Sequence, residues 1–136
     1  MWRCGRKRCA ICKFVKEAEA LRTPDGKIMN INHEVTCQTK NVVYAASCVR
    51  GDRVIYIGET GTTLYQRTMN HLSSVRNNRH GTPLAKHFNE KEHTIDDFRI
   101  TGVEIPREDS VVYRRLRETF WVKRMRTMEN GENKKR

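Results

Sequence analysis

Apolar residues between positions 42 and 58 fall into two short runs, Val42-Val43-Tyr44-Ala45-Ala46 and Val54-Ile55-Tyr56-Ile57. Both are β-branched and aromatic, and Val49-Arg50-Gly51-Asp52-Arg53 separates them, so they predict a hairpin of strands Val42–Cys48 and Val54–Gly58. The spacing then changes. Leu64, Thr68, Leu72 and Val75 recur every three or four residues, predicting a helix from Leu64 to about Arg76 with Thr63 as its cap. Thr82 followed by Pro83 opens a second, short helix. Phe98–Ile105 reads as another strand, and Ser110 caps a longer helix running to about Met128. The first forty residues lack such periodicity, apart from a turn at Thr23-Pro24-Asp25-Gly26 and a strand-like Lys27–Asn32. The order predicts an α+β domain on a small sheet.

Composition narrows this picture. With 37% hydrophobic and 32% charged residues in 136, one core is feasible and thin, since a chain of this size buries roughly two thirds of its unfolded surface. We divide the chain into a cysteine-rich segment, 1–40, and a domain, 41–136. No stretch approaches the roughly 20 apolar residues of a membrane span, and Met1–Ala10 has no signal-peptide core. The net charge of +11 resides at the ends, +5 in residues 1–40 and +6 in 113–136, around a neutral middle. Basic flanks suit an anionic polymer, and solvated tails are the plain alternative.

Several side chains carry candidate chemistry. Tyr44 and Tyr56 lie on the hairpin, where a tyrosine also serves as packing. Gly58 ends the second strand or leaves room for a ligand. Arg67 and His71 stand one turn apart at the edge of the buried stripe, a guanidinium fork for phosphate beside a group that moves protons near neutrality. A pair of surface polar residues is the competing reading. Glu118 shares a helix face with Val111, Val122 and Met125, and a buried carboxylate needs a cation, a metal, or an ion pair with Arg114 or Arg115. Cys4, Cys9, Cys12 and Cys37 have the makings of a zinc site that would fold a segment with almost no core of its own. His33 is an alternative fourth ligand to Cys37, and free thiols are the alternative to a metal.

Taken in order, these residues resemble the GIY-YIG nuclease family from Asn41 onward. Val42-Val43-Tyr44 matches its first motif, with Val42 in place of the leading glycine, and Tyr56-Ile57-Gly58 matches the second. Arg67 matches the helix arginine and Glu118 the metal-binding glutamate. The resemblance is tightest to endonucleases of Penelope-like retroelements, in Tyr56-Ile57-Gly58-Glu59-Thr60, Leu64-x-x-Arg67-x-x-x-His71, His87-Phe88 with His93, and Glu118-x-x-Trp121-Val122. Two places depart from that branch: Gly51 stands where a second cysteine is common, and Asn133 is an irregular match to the terminal asparagine.

The resemblance implies a three-stranded, mainly antiparallel sheet flanked by helices, and a metal-dependent DNA endonuclease that nicks one strand, as in retroelement target-site cleavage. It implies catalytic roles for Tyr44, Tyr56, Arg67, His71, Glu118 and Asn133, with Mg²⁺ or Mn²⁺ on Glu118. Tyr44 and His71 both remain candidates for the general base. Cys48, His87 and His93 map onto a second zinc set that lacks one ligand. DNA is the implied partner, with a reverse transcriptase or element RNA beside it, and the implied setting is a nuclear monomer that dimerises transiently for double-strand cuts. The rival is a zinc-containing nucleic-acid-binding module without catalysis.

Overall fold

In this computed structural model, which describes residues 1–77, 82–90 and 93–133, the chain opens with two short antiparallel strands, β1 (Ala20–Arg22) and β2 (Ile28–Asn30). The turn at Thr23–Gly26 joins them. Its glycine and threonine were legible in the sequence, whereas β1, set in the polar run Lys16–Arg22, was not. The expected hairpin follows as β3 (Lys40–Cys48) and β4 (Arg53–Thr63). β4 runs past Gly58 because the Thr-rich residues 59–63 stay paired, Val42 with Thr60 and Lys40 with Thr63. A bulge between Lys40 and Val42 leaves Asn41 at φ 57°, where a bulge commonly re-aims a side chain.

Thr63 caps α1 (Leu64–Arg76) by accepting from Gln66 N at 3.0 Å, and α2 (Pro83–Asn89) starts at its proline. Then come β5 (Phe98–Glu104), α3 (Val111–Met125) capped by Ser110, and a final turn α4 (Thr127–Asn130). The helix expected to reach Met128 stops at Met125, because Arg126 takes a left-handed conformation (φ 53°) and redirects the chain. Among the described residues no helix is long and apolar enough to cross a membrane. The Lys134–Arg136 tail lies outside them.

The main sheet has the order β4-β3-β5 with both pairings antiparallel, which makes this an α+β fold on a three-stranded sheet. Alternation along β3 supplies two cores. On one face Val42, Tyr44, Ala46 and Cys48 pack with Leu64, Leu72 and Val75 of α1, and with Leu84 and Phe88 of α2. On the other, Val43, Ala45, Ile57 and Val103 meet Trp121, Val122 and Met125 of α3. The cysteine-rich segment has no core apart from these. Met1, Ile11, Phe14, Val15 and Val35 join the first core, Leu21 and Ile31 the second, and Val15 bridges to Ile100.

Candidate active site and metal centres

Tyr44 occupies the middle of the central strand and is wholly buried, opposite Gly58 on β4 and Gly102 on β5. The phenol lies across Gly58: a Cβ there would overlap the Tyr44 ring end and crowd Tyr56 at 2.9 Å. The glycine of Tyr-Ile-Gly therefore makes room for the tyrosine of the neighbouring strand. On the β5 side, a Cβ at Gly102 would collide with Val35 and press on Leu64.

The space over Gly58 lets α1 approach. Spacing i, i+4 puts Arg67 and His71 on one face of that helix, as expected, and that face meets the tyrosine. Tyr44 Oη lies 2.7 Å from His71 Nε2, and Arg67 Nε donates to the same oxygen at 3.1 Å. Tyr56 completes the group, its ring centroid 6.5 Å from that of Tyr44 and 6.0 Å from that of His71. His71 is buried, and burial, then the charge of Arg67, push its imidazole down to about 3. It is therefore neutral, and in the tautomer protonated at Nδ1 its Nε2 accepts the Tyr44 proton. Burial, then Tyr56, hold the Tyr44 phenol well above its ordinary range, partly offset by Arg67. Against the cost of its own burial, the oxygens of Tyr44, Tyr56 and Glu59 keep Arg67 above its ordinary range. The surface reading of Arg67 and His71 is excluded.

Beside this group an open concavity of about 500 Å³ is lined by Glu59, Thr60, Gly61, Thr62, Arg67, Asn70, Val111 and Arg114. A larger one, about 670 Å³, lies between the β1–β2 hairpin and β4 and contains no residue singled out by the sequence. Glu118 is buried (3% exposed) on α3, one turn beyond Arg114. Its expected neighbours Val122 and Met125 are buried too, but Val111 is 48% exposed and Arg114 takes the inward place at that end of the helix. Arg117 anchors α3 to β5 through a two-bonded pair with Glu104 (2.7 and 2.9 Å), and Trp121 Nε1 donates to the same carboxylate at 3.0 Å. Asn133 sits away from the phenol, against the outer edge of β4. Its Oδ1 accepts from Ile57 N at 2.8 Å and its Nδ2 donates to Ile57 O at 2.9 Å. It thus holds the strand between Tyr56 and Gly58.

The four cysteines of the N-terminal part converge, with all four sulfurs within 4.8 Å of one another. Cys4 and Cys12 sulfurs are 3.6 Å apart and Cys12 and Cys37 sulfurs 3.8 Å. Four thiolates about 2.3 Å from a tetrahedral ion would lie about 3.8 Å apart, so the set fits a thiolate-bound metal. Cys37, not His33, completes it; His33 is exposed. Burial works against ionising Cys12, but hydrogen bonds from Cys9 and the Gly5 backbone draw its thiol down to about 7, while burial pushes Cys9 and Cys37 up.

A second set gathers Cys48, His87 and His93, again within 4.8 Å, with Cys48 Sγ 3.6 Å from His93 Nδ1. His87 Nδ1 faces Glu132 Oε1 at 3.2 Å, and its buried Nε2 has no hydrogen-bond partner among the described residues. Among the described residues the set has three members, and Gly51, at φ 83°, is in a conformation a cysteine would rarely adopt.

Sequence reasoning did not single out Glu59, and it counted Arg114 among the basic C-terminal residues or as a partner of Glu118 without anticipating how deeply it is buried. Arg114 is 7% exposed, bonds to Asp109 (2.7 Å) and Asn41 (3.3 Å), and faces Glu59 at 3.5 Å. The bulge at Asn41 and the missing side chain at Gly61 were the available signals. Comparison with protein-family models, curated proteins and solved structures found no match.

Proposed function

We propose that the chain is a metal-dependent endonuclease that hydrolyses phosphodiester bonds in DNA, nicking one strand, in the manner of the GIY-YIG nucleases it resembles. The observation that carries this reading is the hydrogen-bonded series Arg67, Tyr44, His71, in which Tyr44 and His71 are buried and the half-buried Arg67 lines an open concavity. A structural role alone does not call for a phenol, an imidazole and a guanidinium aligned on one oxygen within an apolar core.

In this mechanism Arg67 holds the phosphate, and its fork suits the charge that grows on the phosphoryl oxygens. Tyr44 orients the attacking water or takes its proton, and His71 Nε2 accepts the proton that Tyr44 gives up. Burial, and then the field of Arg67, keep His71 neutral; the anionic phosphate offsets the second of these, so arrival of substrate favours that transfer. Tyr56 borders the phenol and fixes its position. The buried Glu118 carboxylate would hold a Mg²⁺ or Mn²⁺ ion, which would supply Lewis-acid stabilisation of the departing oxygen. Zinc on Cys4, Cys9, Cys12 and Cys37 would be structural, since four thiolates leave no open position.

Supercoiled plasmid tests the reading. With Mg²⁺ the chain should relax it to open circles, and without metal it should not. Glu118→Gln should abolish relaxation while DNA binding stays within a few-fold. Binding without relaxation under either condition would instead make the chain a zinc-containing nucleic-acid-binding module.

A further inference from the structure

Arg114 is a charged group whose surroundings in the cleft do not complete it. Its NH1 is bonded to Asp109 and Asn41, but its buried Nε has no hydrogen-bond acceptor, and the nearest carboxylate oxygen, Glu59 Oε1, is 3.5 Å away. The buried Glu59 Oε2 likewise has no partner. A buried donor and acceptor left unmatched are costly, and here the two side chains that carry them line one concavity. Gly61 opens the way to it: a Cβ there would come within 2.8 Å of Arg114 NH2. Gly61 has no left-handed backbone angle, so what its glycine supplies is space. Arg67, from the other helix, lines the same concavity, whose 500 Å³ lies within the range of small-ligand sites, about 300–1,000 Å³. A nucleotide unit matches both unmet groups, with phosphate oxygens for Nε and base N–H groups for Oε2.

We infer that Arg114 is a second phosphate-binding arginine of this cleft, taking the phosphate next along the strand to the one held by Arg67. The substrate is then a polynucleotide with consecutive phosphates and not an isolated phosphodiester. This rests on the phosphodiesterase reading above, but its test reads binding rather than cleavage.

The probes are thymidine oligomers with one internucleotide phosphate (TpT) and with two (TpTpT), titrated without added metal. The parent should bind TpTpT about tenfold more tightly than TpT, the scale of one charge-assisted contact. Arg114→Gln should erase that preference, leaving the affinity for TpT within about twofold. Gly61→Ala, which keeps the charge but displaces the guanidinium, should erase it as well. It also keeps the inference testable if Arg114→Gln, read by circular dichroism, does not fold. A parent with no preference, or variants that retain it, would overturn the inference. A preference lost in the variants, in a parent that relaxes no plasmid with Mg²⁺, would support Arg114 and remove the nuclease reading. Plasmid relaxation with an unchanged preference in the variants would do the reverse.

Discussion

Two polar groups lie on the α1 face of the sheet, and they answer the cost of burial differently. The thiols of Cys4, Cys9, Cys12 and Cys37 have mainly one another for company, at contact distances that suit a shared cation. The phenol, imidazole and guanidinium of Tyr44, His71 and Arg67 satisfy each other directly, with His71 neutral and Arg67 charged. The first arrangement needs something from outside to be stable. The second is already satisfied within the protein. A single core thus contains one group that could hold a metal and one that is bonded internally.

The largest effect that can test this contrast is removal of metal from the thiols. Structural zinc contributes roughly 10–16 kcal/mol in small zinc domains. Because Ile11, Phe14 and Val15 belong to the sheet's own core, chelation should lower the melting temperature of the whole chain as well as loosening residues 1–40. Native mass spectrometry should find one zinc on the thiols, and Cys12→Ser should reproduce the chelated state. An unchanged melting temperature on chelation would dissolve the distinction between the two groups.

Next in size is the pH dependence that His71 imposes. Its imidazole is held near 3 in the folded chain, against about 6.5 when unfolded. The unfolded state therefore binds the proton first, and stability should fall as pH drops below about 6.5, down to about 3, by on the order of 4 kcal/mol. Denaturant titrations across that range would measure it. His71→Gln should remove that part of the slope, read on chelated protein so that acid release of metal from the thiols does not add to it.

Arg67→Ala should lower kcat by about 10²–10³, equal to roughly 2.7–4 kcal/mol of barrier, as read in single-turnover nicking assays. A loss confined to KM would make Arg67 a general binding residue. The smallest effect belongs to the exposed Arg115, Arg124 and Arg126. Neutralising them should reduce the log–log salt slope of DNA binding by at most about 0.9 each and leave turnover alone. Arg114 does not belong in that set, since it is buried in the cleft.

The hairpin, α1, the short helix at Pro83, β5 and the start of α3 were legible because periodicity and caps agreed at each. The extension of β4 was not, since Glu59-Thr60-Gly61-Thr62-Thr63 is polar and owes its strand conformation to pairing with β3. Nor was the break at Arg126, where a basic residue takes the left-handed conformation usually left to glycine. At the site, the i, i+4 spacing placed Arg67 and His71 together, but nothing local showed that they would meet Tyr44, whose partner glycines come from two other strands. Glu59 escaped notice, and the burial of Arg114 with it, because each reads as an ordinary surface charge until β4 and α3 bring them face to face.

The contact of Asn133 with Ile57 has a bearing on solubility. β4 is an outer strand of eleven residues, and an outer strand of that length invites pairing with another chain. Asn133 presents to Ile57 the same donor and acceptor that a further strand would offer, and Glu132 N donates to Ile55 O at 2.6 Å. One carboxamide and one peptide group thus occupy the stretch of edge where Ile55, Tyr56 and Ile57 are most apolar. A chain that loses them keeps every element of its sheet yet exposes a template for edge-to-edge association, so Glu132 and Asn133 protect the fold from copies of itself.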